Sequence, residues 1–366
     1  MQKKKTPSKG PSITDARRKV ESLDRELVKL LNERTKFAEQ LYRAHAESGE
    51  GPLNGAEDKE SLAKLLDLSK GPLPERTVRS VFHELMSTAR SLVKTTRAAY
   101  LGPKYSYSHL AAIEHFGQGA ELIPVATIKA VFEELARNQV EYGLVPIENS
   151  TDGRIIDTLD MFARMPSRIC GEVQLRIHHN LLGKCSRSEV QEVYSKPQAI
   201  SQCRDWLARH MSHARVVEMT STTAAAQLAA EKPFAAAIAS LPAAASYGLR
   251  VIDANIEDNK NNITRFAVLG GTEPKRTGKD KTAIMFELHH KPGSLADALG
   301  VFKRNRLNMT WIESFPRPDI RNEYIFFVEF EGHQSETKIK KALTQLKPRT
   351  VKLDILGSYL KAQPVE

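Results

Sequence analysis

Near the amino terminus, apolar residues recur in the three- and four-residue steps of amphipathic helices. The first such stretch runs from Ile13 to about Arg43, and its apolar positions are Val20, Leu23, Leu27, Leu30, Leu31, Phe37, Ala38 and Leu41. Segments rich in Gly and Pro separate it from a second helix around Leu62 and a third that begins at Pro74. Because three helices with one long member close a monomeric core poorly, the pattern predicts a helical homodimerisation domain over residues 13–96.

From residue 98 to residue 272, strand-like runs alternate with helical stretches. The strand-like runs include VEYGLVPI, EVQLRIHHNLLG, VQEVYS, ARVVEM, FAAAIAS and RFAVLG. Alternation of this kind predicts an α/β domain, and its length favours two smaller lobes facing a cleft over one sheet.

The last third of the chain changes pattern again. Residues 273–280 are polar and predict a solvated linker. Residues 281–360 read strand, helix, strand, strand, helix, strand, which is the βαββαβ order of a small ferredoxin-like domain. The predicted fold class is therefore multidomain, with an all-α domain, a two-lobed α/β domain and a ferredoxin-like domain.

Composition narrows the function classes. The 366 residues are 41% hydrophobic and 27% charged, as in soluble globular proteins, and no window reaches the roughly 18 to 20 apolar residues of a membrane span. Residues 1–12 are basic and predict a disordered tail with no secretory signal. The three cysteines form no CxxC pair, which favours a reducing cytoplasm and disfavours zinc. The net charge of +10 comes from scattered residues, so it suits small anionic substrates better than nucleic acid.

Four polar clusters lie where strands of the α/β segment lead into helices: PIENSTDG, YSKPQAISQC, EMTSTTAAA and NNITRF. Helix amino ends offer free backbone N–H groups and a positive dipole end, so together the clusters predict an anion-binding cleft. Each cluster alone is also explained by ordinary helix capping. No P-loop, GxGxxG, GxSxG or HExxH motif is present, which removes the usual nucleotide, hydrolase and zinc-protease interpretations.

Longer motifs carry a family resemblance. The stretches are VPIENSTDGRIIDTLDMF, YSKPQAISQCRDWL, AAIASLPAAASYGLRVIDANIEDNKNNITRFAVLG and IESFPRPDIRNEYIFFVEFEGH. Together they resemble the bacterial P-protein of phenylalanine biosynthesis, which joins chorismate mutase, prephenate dehydratase and ACT domains. The resemblance implies conversion of prephenate to phenylpyruvate, carbon dioxide and water, an attached mutase domain acting on chorismate, and phenylalanine as effector. It implies no metal or organic cofactor, no nucleic acid or membrane partner, and a homodimer or dimer of dimers.

The resemblance also assigns roles in the dehydratase part. Thr264 would donate a proton or hydrogen bond to the departing ring hydroxyl, with Arg265 to orient it or to meet a carboxylate and Phe266 packed in the sheet. A Thr hydroxyl needs a preorganised, water-poor site for this work. Asn149 is the third catalytic residue, and the substrate-binding residues are Ser150, Ser195, Gln202, Ser221, Thr222 and Phe266. Two positions depart from the family pattern, since Tyr105 replaces a Gly and Lys196 replaces a His.

In the other two domains the resemblance is less complete. The mutase residues it implies are Arg17, Arg34, His45, Lys59 and Glu60, whereas Ala89 and Val93 replace the family's late Ser and Gln, which leaves mutase activity open. The effector residues it implies are Gly293, Ser294, Leu295, Glu313 and Ser314. Phe315 stands where the family has an Arg. Two alternatives remain open: an arogenate dehydratase, and a non-catalytic aromatic amino acid sensor.

Overall fold

The structure is a computed structural model that describes residues 12–47, 55–151, 153–271, 273–317 and 323–365, without the side chains of residues 55–57 and 59. The chain divides into two compact units, residues 1–95 and residues 96–366. The predicted tail over residues 1–12 lies outside the described residues except for Ser12. Within the described parts, no helix has the length and apolarity to span a bilayer.

The first unit is helical, as predicted. Its described helices are α1 (Ile13–Glu47), α2 (Gly55–Leu68) and α3 (Glu75–Val93). Its small core contains Leu62, Val78, Met86 and Ala89. Most of the apolar stripe of α1 stays outside this core, and Leu23, Leu27 and Phe37 are each more than half exposed.

The second unit contains the remaining elements. Its α-helices are α4 (Tyr107–Phe116), α5 (Ile128–Ala136), α6 (Ile156–Arg164), α7 (Pro197–Gln202), α8 (Arg204–His210), α9 (Thr222–Glu231), α10 (Leu241–Tyr247), α11 (Ser294–Arg304) and α12 (Thr337–Leu346). Its strands are β1 (Arg97–Leu101), β2 (Glu121–Val125), β3 (Tyr142–Asn149), β4 (Gly153–Arg154), β5 (Ile169–Arg176), β6 (Asn180–Gly183), β7 (Glu192–Ser195), β8 (Arg215–Glu218), β9 (Ala235–Ala239), β10 (Arg250–Asp253), β11 (Ile263–Gly270), β12 (Asp280–Glu287), β13 (Met309–Pro316), β14 (Tyr324–Glu331), β15 (Lys352–Leu360) and β16 (Pro364–Val365).

Two sheets form the predicted pair of α/β lobes. The first lobe has strand order β16-β5-β11-β3-β1-β2, with β4 paired to β3. The second lobe has strand order β10-β6-β9-β7-β8. The central strands are nearly continuous apolar runs, such as the fully buried AAAIA of β9, because helices cover both faces of such sheets.

The chain crosses between the lobes at residues 177–179 and 254–262, which we call the crossover segments. The run EVQLRIHHNLLG, predicted as one strand, is therefore two: β5 belongs to the first lobe and β6 to the second. The polar His178–His179 pair interrupts the apolar run where the change of sheet occurs. The two crossover segments are hydrogen-bonded to each other, from Ile177 N to Asn262 O at 2.8 Å and from Ile256 N to His179 O at 2.8 Å.

The carboxy-terminal elements form the predicted βαββαβ domain. Its antiparallel sheet has the order β13-β14-β12-β15, with α11 and α12 packed together beside it. Apolar side chains of this sheet, including Phe327 and Tyr359, share one core with Ile147 and Leu269 of the first lobe. Strand β16 then returns to the first lobe and pairs with β5.

Candidate active site

A cleft of about 890 Å³ lies between the two lobes. The carboxyl ends of β1, β2 and β3 open into it from one side, and those of β7 and β8 from the other, where parallel strands generally present their ligands. Of the predicted dehydratase residues, the described lining includes Asn149, Gln202, Ser221, Thr222, Thr264 and Phe266.

The amino ends of several helices, among them α4, α5 and α9, line the cleft. The lining includes the first residues of α4 and α9 and Ile128 at the start of α5. Ser106, Thr127 and Ser221 cap these helices by accepting from a backbone N–H three residues on. The positive dipole ends of these helices and their remaining free N–H groups make the cleft favourable for an anion.

Thr264 and Asn149 are directly opposite each other on β11 and β3. The Asn149 amide nitrogen donates to Thr264 Oγ1 at 2.8 Å, while Asn149 Oδ1 accepts from Thr151 N at 2.9 Å. Because Thr264 Oγ1 accepts this bond, its own proton can be directed into the cleft. The pair presents a hydroxyl donor whose position is fixed by a nearly buried amide.

Further polar side chains continue from this pair. Asn149 Nδ2 also donates to Asn262 Oδ1 at 3.0 Å, and Asn262 Nδ2 donates to Gln202 Oε1 at 3.0 Å. Gln202 Oε1 lies 2.8 Å from His179 Nε2, and His179 Nδ1 lies 3.1 Å from the Tyr107 hydroxyl. Sequence reasoning missed Tyr107, His179 and Asn262, although the two adjacent histidines inside an apolar run were a usable signal.

Thr223 is a second omission. It is 4% exposed, lines the cleft at the start of α9, and its Oγ1 has no hydrogen-bond partner among the described residues. A buried hydroxyl without a partner costs free energy, so it is a good candidate to meet a ligand. The TSTT cluster predicted Ser221 and Thr222 but did not single out this residue.

Arg265 does not reach the cleft, so the structure does not support the predicted contact with a substrate carboxylate. Successive side chains of a strand point to alternate faces of the sheet, so Arg265 lies on the other face from Thr264. Its guanidinium contacts three of the protein's own carboxylates: Glu148 at 2.6 Å, Glu172 at 2.8 Å and Glu329 at 2.6 Å. Burial lowers the pKa of Arg265, but Glu329 and Glu172 outweigh burial and raise it above its ordinary value.

Lys281 completes this charge cluster, contacting Glu172 at 2.7 Å and Glu329 at 3.2 Å. Burial pushes the pKa of Glu172 up, but Lys281 and then Arg265 outweigh burial and hold it below its ordinary value. Lys281 and Glu329 belong to the carboxy-terminal sheet, whereas Arg265 and Glu172 belong to the first lobe. The cluster therefore ties that sheet to the strand that carries Thr264.

Two residues predicted to bind substrate, Ser195 and Ser150, are hydrogen-bonded to neighbouring strands, and neither is among the described residues that line the cleft. The buried Ser195 hydroxyl donates to Ile238 O at 2.7 Å, which joins β7 to β9. Ser150 Oγ donates to Asn261 O at 3.3 Å and accepts from Ile263 N at 2.9 Å, which fixes the start of β11. Both side chains thus support neighbouring strands.

The two departures from the family pattern also have definite positions. Tyr105 adopts φ 67°, the left-handed region that favours glycine. Its ring contacts Tyr247 edge-on, and its carbonyl accepts from Ser240 Oγ at 3.1 Å, so it joins the first lobe to α10 of the second. Lys196 is exposed and lines the cleft.

The predicted mutase residues do not converge within one chain. Arg17 and Arg34 are 17 positions apart on α1, about 25 Å at 1.5 Å per residue. Arg34 packs over the Phe82 ring at 5.5 Å, and its buried Nη1 has no partner among the described residues. His45 lies in the last turn of α1, exposed Glu60 pairs with Lys64, and the Lys59 side chain lies outside the description.

A partly buried polar cluster that the sequence did not predict lies between the helices of this unit. Arg90 forms an ion pair with Asp58, which also accepts from the Tyr42 hydroxyl at 3.0 Å. Burial, and then the Asp58 carboxylate, raise the pKa of Tyr42 to about 12. The cluster links all three helices.

The predicted effector residues lie in two places, at the start of α11 and on β13. Ser294 and Leu295 line a small pocket of about 160 Å³ at the start of α11, together with Tyr324 and Phe326. Gly293 precedes them with φ 85° as the helix cap. Glu313 and Ser314 lie on β13 outside that described lining, and Glu313 pairs with Arg154 of β4 at 2.7 Å.

Three family models match successive parts of the chain. A prephenate dehydratase family model matches residues 98–274, a chorismate mutase type II model residues 16–94 and an ACT domain model residues 282–348. The bifunctional chorismate mutase/prephenate dehydratase of Aquifex aeolicus is 38% identical over 356 residues, covering 96% of this chain and 98% of that relative. The Pseudomonas aeruginosa protein of the same name is 38% identical over 353 residues, covering 94% of this chain and 97% of that relative.

A solved structure is also similar to the second unit. Prephenate dehydratase from Arthrobacter aurescens, in complex with L-Phe, is 30% identical with a TM-score of 0.68, covering 74% of this chain and 92% of that one. Together with the full-length relatives, it confirms the fold class and the resemblance found in the motifs. The chain therefore belongs to the bifunctional chorismate mutase/prephenate dehydratase family.

Proposed function

We propose that this protein is a prephenate dehydratase, converting prephenate to phenylpyruvate, carbon dioxide and water. The observation that carries the proposal is the Asn149–Thr264 hydrogen bond, which leaves a fixed hydroxyl donor at the edge of an anion-binding cleft. In the reaction the ring carboxylate leaves as carbon dioxide, its bonding electrons aromatise the ring, and the ring hydroxyl departs. Thr264 stabilises that departing oxygen by hydrogen bonding, and a proton from solvent completes the water molecule.

The helix amino ends and Lys196 supply positive potential for the two substrate carboxylates. Phe266, buried beside Thr264, and Ile177 give the cleft apolar walls that strengthen these interactions. Asn149 positions Thr264, and Gln202 and Ser221 of the second lobe are substrate-binding candidates.

The test is to incubate the pure protein separately with prephenate, arogenate and chorismate and to follow phenylpyruvate and phenylalanine. We expect phenylpyruvate from prephenate. Exclusive turnover of arogenate would identify the alternative dehydratase. Binding of an aromatic amino acid or keto acid without any turnover would identify a sensor.

The second candidate activity is chorismate mutase, favoured by the names of the full-length relatives and by Arg34, whose buried guanidinium nitrogen awaits an acceptor. Since one chain separates Arg17 from Arg34 by about 25 Å, we propose that a site forms between two copies, in a homodimer or a dimer of dimers. We expect Arg34→Ala to abolish phenylpyruvate formation from chorismate while sparing that from prephenate. Equal rates from chorismate in both proteins would exclude Arg34.

We also propose that phenylalanine regulates the enzyme through the carboxy-terminal domain, at the pocket of Ser294 and Leu295. The amino end of α11 suits the carboxylate of an amino acid, and Tyr324 and Phe326 suit an aromatic ring. Calorimetric titration with phenylalanine and its effect on dehydratase rate test this, and no response in either would leave the domain structural.

Three free thiols, Cys170, Cys185 and Cys203, support a cytoplasmic location.

A further inference from the structure

The cleft has fewer obvious cations than a dianionic substrate calls for. Arg265 is committed to three carboxylates on the opposite face of its strand. Among the described lining residues, Lys196 carries a permanent positive charge and Asp157 a negative one. The directions of the hydrogen bonds around His179 point to a further cation.

One end of the hydrogen-bond chain is fixed by a backbone carbonyl. The Tyr107 hydroxyl lies 2.6 Å from His178 O, and since a carbonyl cannot donate, the phenol proton must lie on that bond. Burial raises the pKa of Tyr107 well above its ordinary value, so it keeps its single proton. At the 3.1 Å contact with His179 Nδ1, the phenol oxygen is therefore the acceptor and Nδ1 carries a hydrogen.

The other end is fixed by a backbone N–H. Thr151 N can only donate, so the Asn149 atom it meets is the oxygen, and the Asn149 amide nitrogen faces Asn262. Asn262 must accept there with its oxygen, which turns its own amide nitrogen towards Gln202. Gln202 in turn accepts with Oε1, and the same oxygen lies 2.8 Å from His179 Nε2.

Both ends of this hydrogen-bond chain thus require that the His179 ring donate, through Nδ1 to the Tyr107 oxygen and through Nε2 to Gln202 Oε1. If only one ring nitrogen of His179 carried a hydrogen, the other nitrogen would be an acceptor facing a second acceptor, either the Tyr107 oxygen or Gln202 Oε1. We propose that His179 is held as an imidazolium, a fixed cation in the crossover segment that serves the acidic substrate of the cleft.

The surroundings of His179 include a countercharge. Glu257 of the other crossover segment is 4% exposed, and it accepts from the His179 backbone N–H at 2.9 Å and contacts the His178 ring at 2.8 Å. A buried carboxylate that is hydrogen-bonded to the backbone of His179 adds negative potential near this residue, which favours a charged ring. The other titratable groups nearby are Tyr107 on α4 and Cys203 after α7, and Lys196 and Asp157 also line the cleft.

The role of this cation rests on the proposed function, whereas its existence does not. His179 is 2% exposed, lines the cleft, and lies between Tyr107 of the first lobe and Gln202 of the second. An imidazolium there attracts a substrate carboxylate without needing Arg265. It also acts as a positioning residue, because loss of its proton would disturb the chain of amides that ends at Thr264.

The experiment that tests the protonation state is ring-nitrogen NMR of the full chain labelled at histidine. The His179 signals are assigned by their absence from His179→Gln or, if that variant does not fold, by through-bond correlation to the backbone. At neutral pH we expect two protonated nitrogens on His179. His109 serves as the internal reference with one, because its Nδ1 accepts from Tyr105 N, and burial, then Lys104, lower its pKa.

Tyr107→Phe removes the acceptor for Nδ1 and adds no charge, so it should return His179 to one protonated nitrogen. Tyr247→Phe, which removes a phenol from the same cleft outside the chain, should leave both in place. A single protonated nitrogen on His179 in the unmodified protein would overturn the proposal, whether or not the protein turns over prephenate.

The kinetic readout separates a cation from a structural side chain. We expect His179→Gln to raise KM for prephenate tenfold or more. In the unmodified enzyme, kcat/KM should decline at alkaline pH as His179 loses its second proton, and His179→Gln should remove that decline. An unchanged KM and an unchanged pH profile in a folded His179→Gln protein would refute the substrate-facing role.

Discussion

Thr264 and Arg265 are neighbours in the chain but have opposite surroundings. The polar clusters predicted that this stretch borders an anion-binding cleft, and Thr264 does line it. The same pattern could not tell which of the two side chains faces the cleft, because that depends on the register between β11 and β3. Residue identity predicted the chemistry of the site, and pairing between distant strands decided which residues belong to it.

The first prediction concerns the Thr264 hydroxyl. Thr264→Ala should lower dehydratase turnover about a hundredfold or more, the scale of a lost hydrogen-bond donor in a preorganised site. Thr264→Ser keeps the hydroxyl and should stay within about tenfold of the unmodified enzyme. Steady-state rates with prephenate measure both, and thermal melting checks that the fold is retained. Near-normal turnover in the Ala variant would remove Thr264 from the mechanism.

At Thr223, the effect of one substitution on the free energy of unfolding can be compared with its effect on KM. Because its buried Oγ1 has no partner among the described residues, Thr223→Val should leave the free energy of unfolding unchanged or raise it by about 1 kcal/mol. The same change should raise KM about tenfold if the hydroxyl meets substrate.

The matched control for Thr223 is Thr158→Val, since the buried Thr158 hydroxyl donates to Pro146 O at 2.6 Å. That variant should lose about 1–2 kcal/mol of stability with KM unchanged. A Thr223→Val enzyme that loses stability but keeps its KM would assign Thr223 to the fold alone.

Tyr105 combines a strained backbone with useful packing. Replacement by Gly relieves the left-handed conformation but loses the ring contacts, whereas replacement by Ala loses the contacts and keeps the strain. We expect the unmodified protein to be the most stable and Tyr105→Gly to exceed Tyr105→Ala by about 1 kcal/mol. Chemical denaturation of the three proteins gives the order, and an Ala variant equal to the Gly variant would contradict it.

At the scale of elements, periodicity predicted the helices and most strands but missed a change of sheet. The run that contains β5 and β6 is apolar almost throughout, and no local rule marks where a strand leaves one lobe for the other. The interruption by His178 and His179 is visible in the sequence, but its meaning depends on contacts with Glu257 and Gln202, which are far away in the chain. Long-range pairing is what a linear pattern does not contain.

The charge cluster between β11, β5 and the carboxy-terminal sheet gives the next prediction. Lys281→Met leaves Glu172 buried with less compensation and should cost about 3–5 kcal/mol at pH 7. Because the folded-state pKa of Glu172 is below its ordinary value, its pairing stabilises the fold above that ordinary pKa, and the stabilisation is lost as the pH falls through the lowered one. Without Lys281, burial should raise that pKa, so acid should narrow the difference between the two proteins.

Chemical denaturation at pH 7 and pH 5 measures this difference. Lys279→Met, which changes an exposed lysine two residues away, is the control and should be nearly neutral. A deficit for Lys281→Met that stays constant between the two pH values would show that Glu172 is not the group responsible.

At the scale of the whole molecule, the domain order was readable from the sequence, but the packing between domains was not. The sequence predicted a solvated linker over residues 273–280. In the structure, β16 enters the sheet of the first lobe, and Gly357 of β15 approaches Ile169 O so closely that an added Cβ would lie 2.1 Å from it. Such contacts involve single residues and leave no periodic signal.

The exposed stripe of α1 gives the last prediction. Leu27 is 53% exposed in a single chain, and it lies among other exposed apolar residues that the proposed dimer would cover. Leu27→Glu should therefore shift the protein towards monomer in sedimentation velocity. Lys29→Glu, an exposed change on the same helix, should leave the assembly intact. Unchanged sedimentation of Leu27→Glu would place the interface elsewhere.

The buried charges also govern where this chain can be divided. A break near residue 275 would follow the boundary of the dehydratase family match, yet it would separate Arg265 and Glu172 from Lys281 and Glu329. Each fragment would expose an apolar face and carry charges that lack their partners. A shortened form intended for crystallisation or domain exchange should therefore keep residues 96–366 together, with the exchange point placed before residue 96.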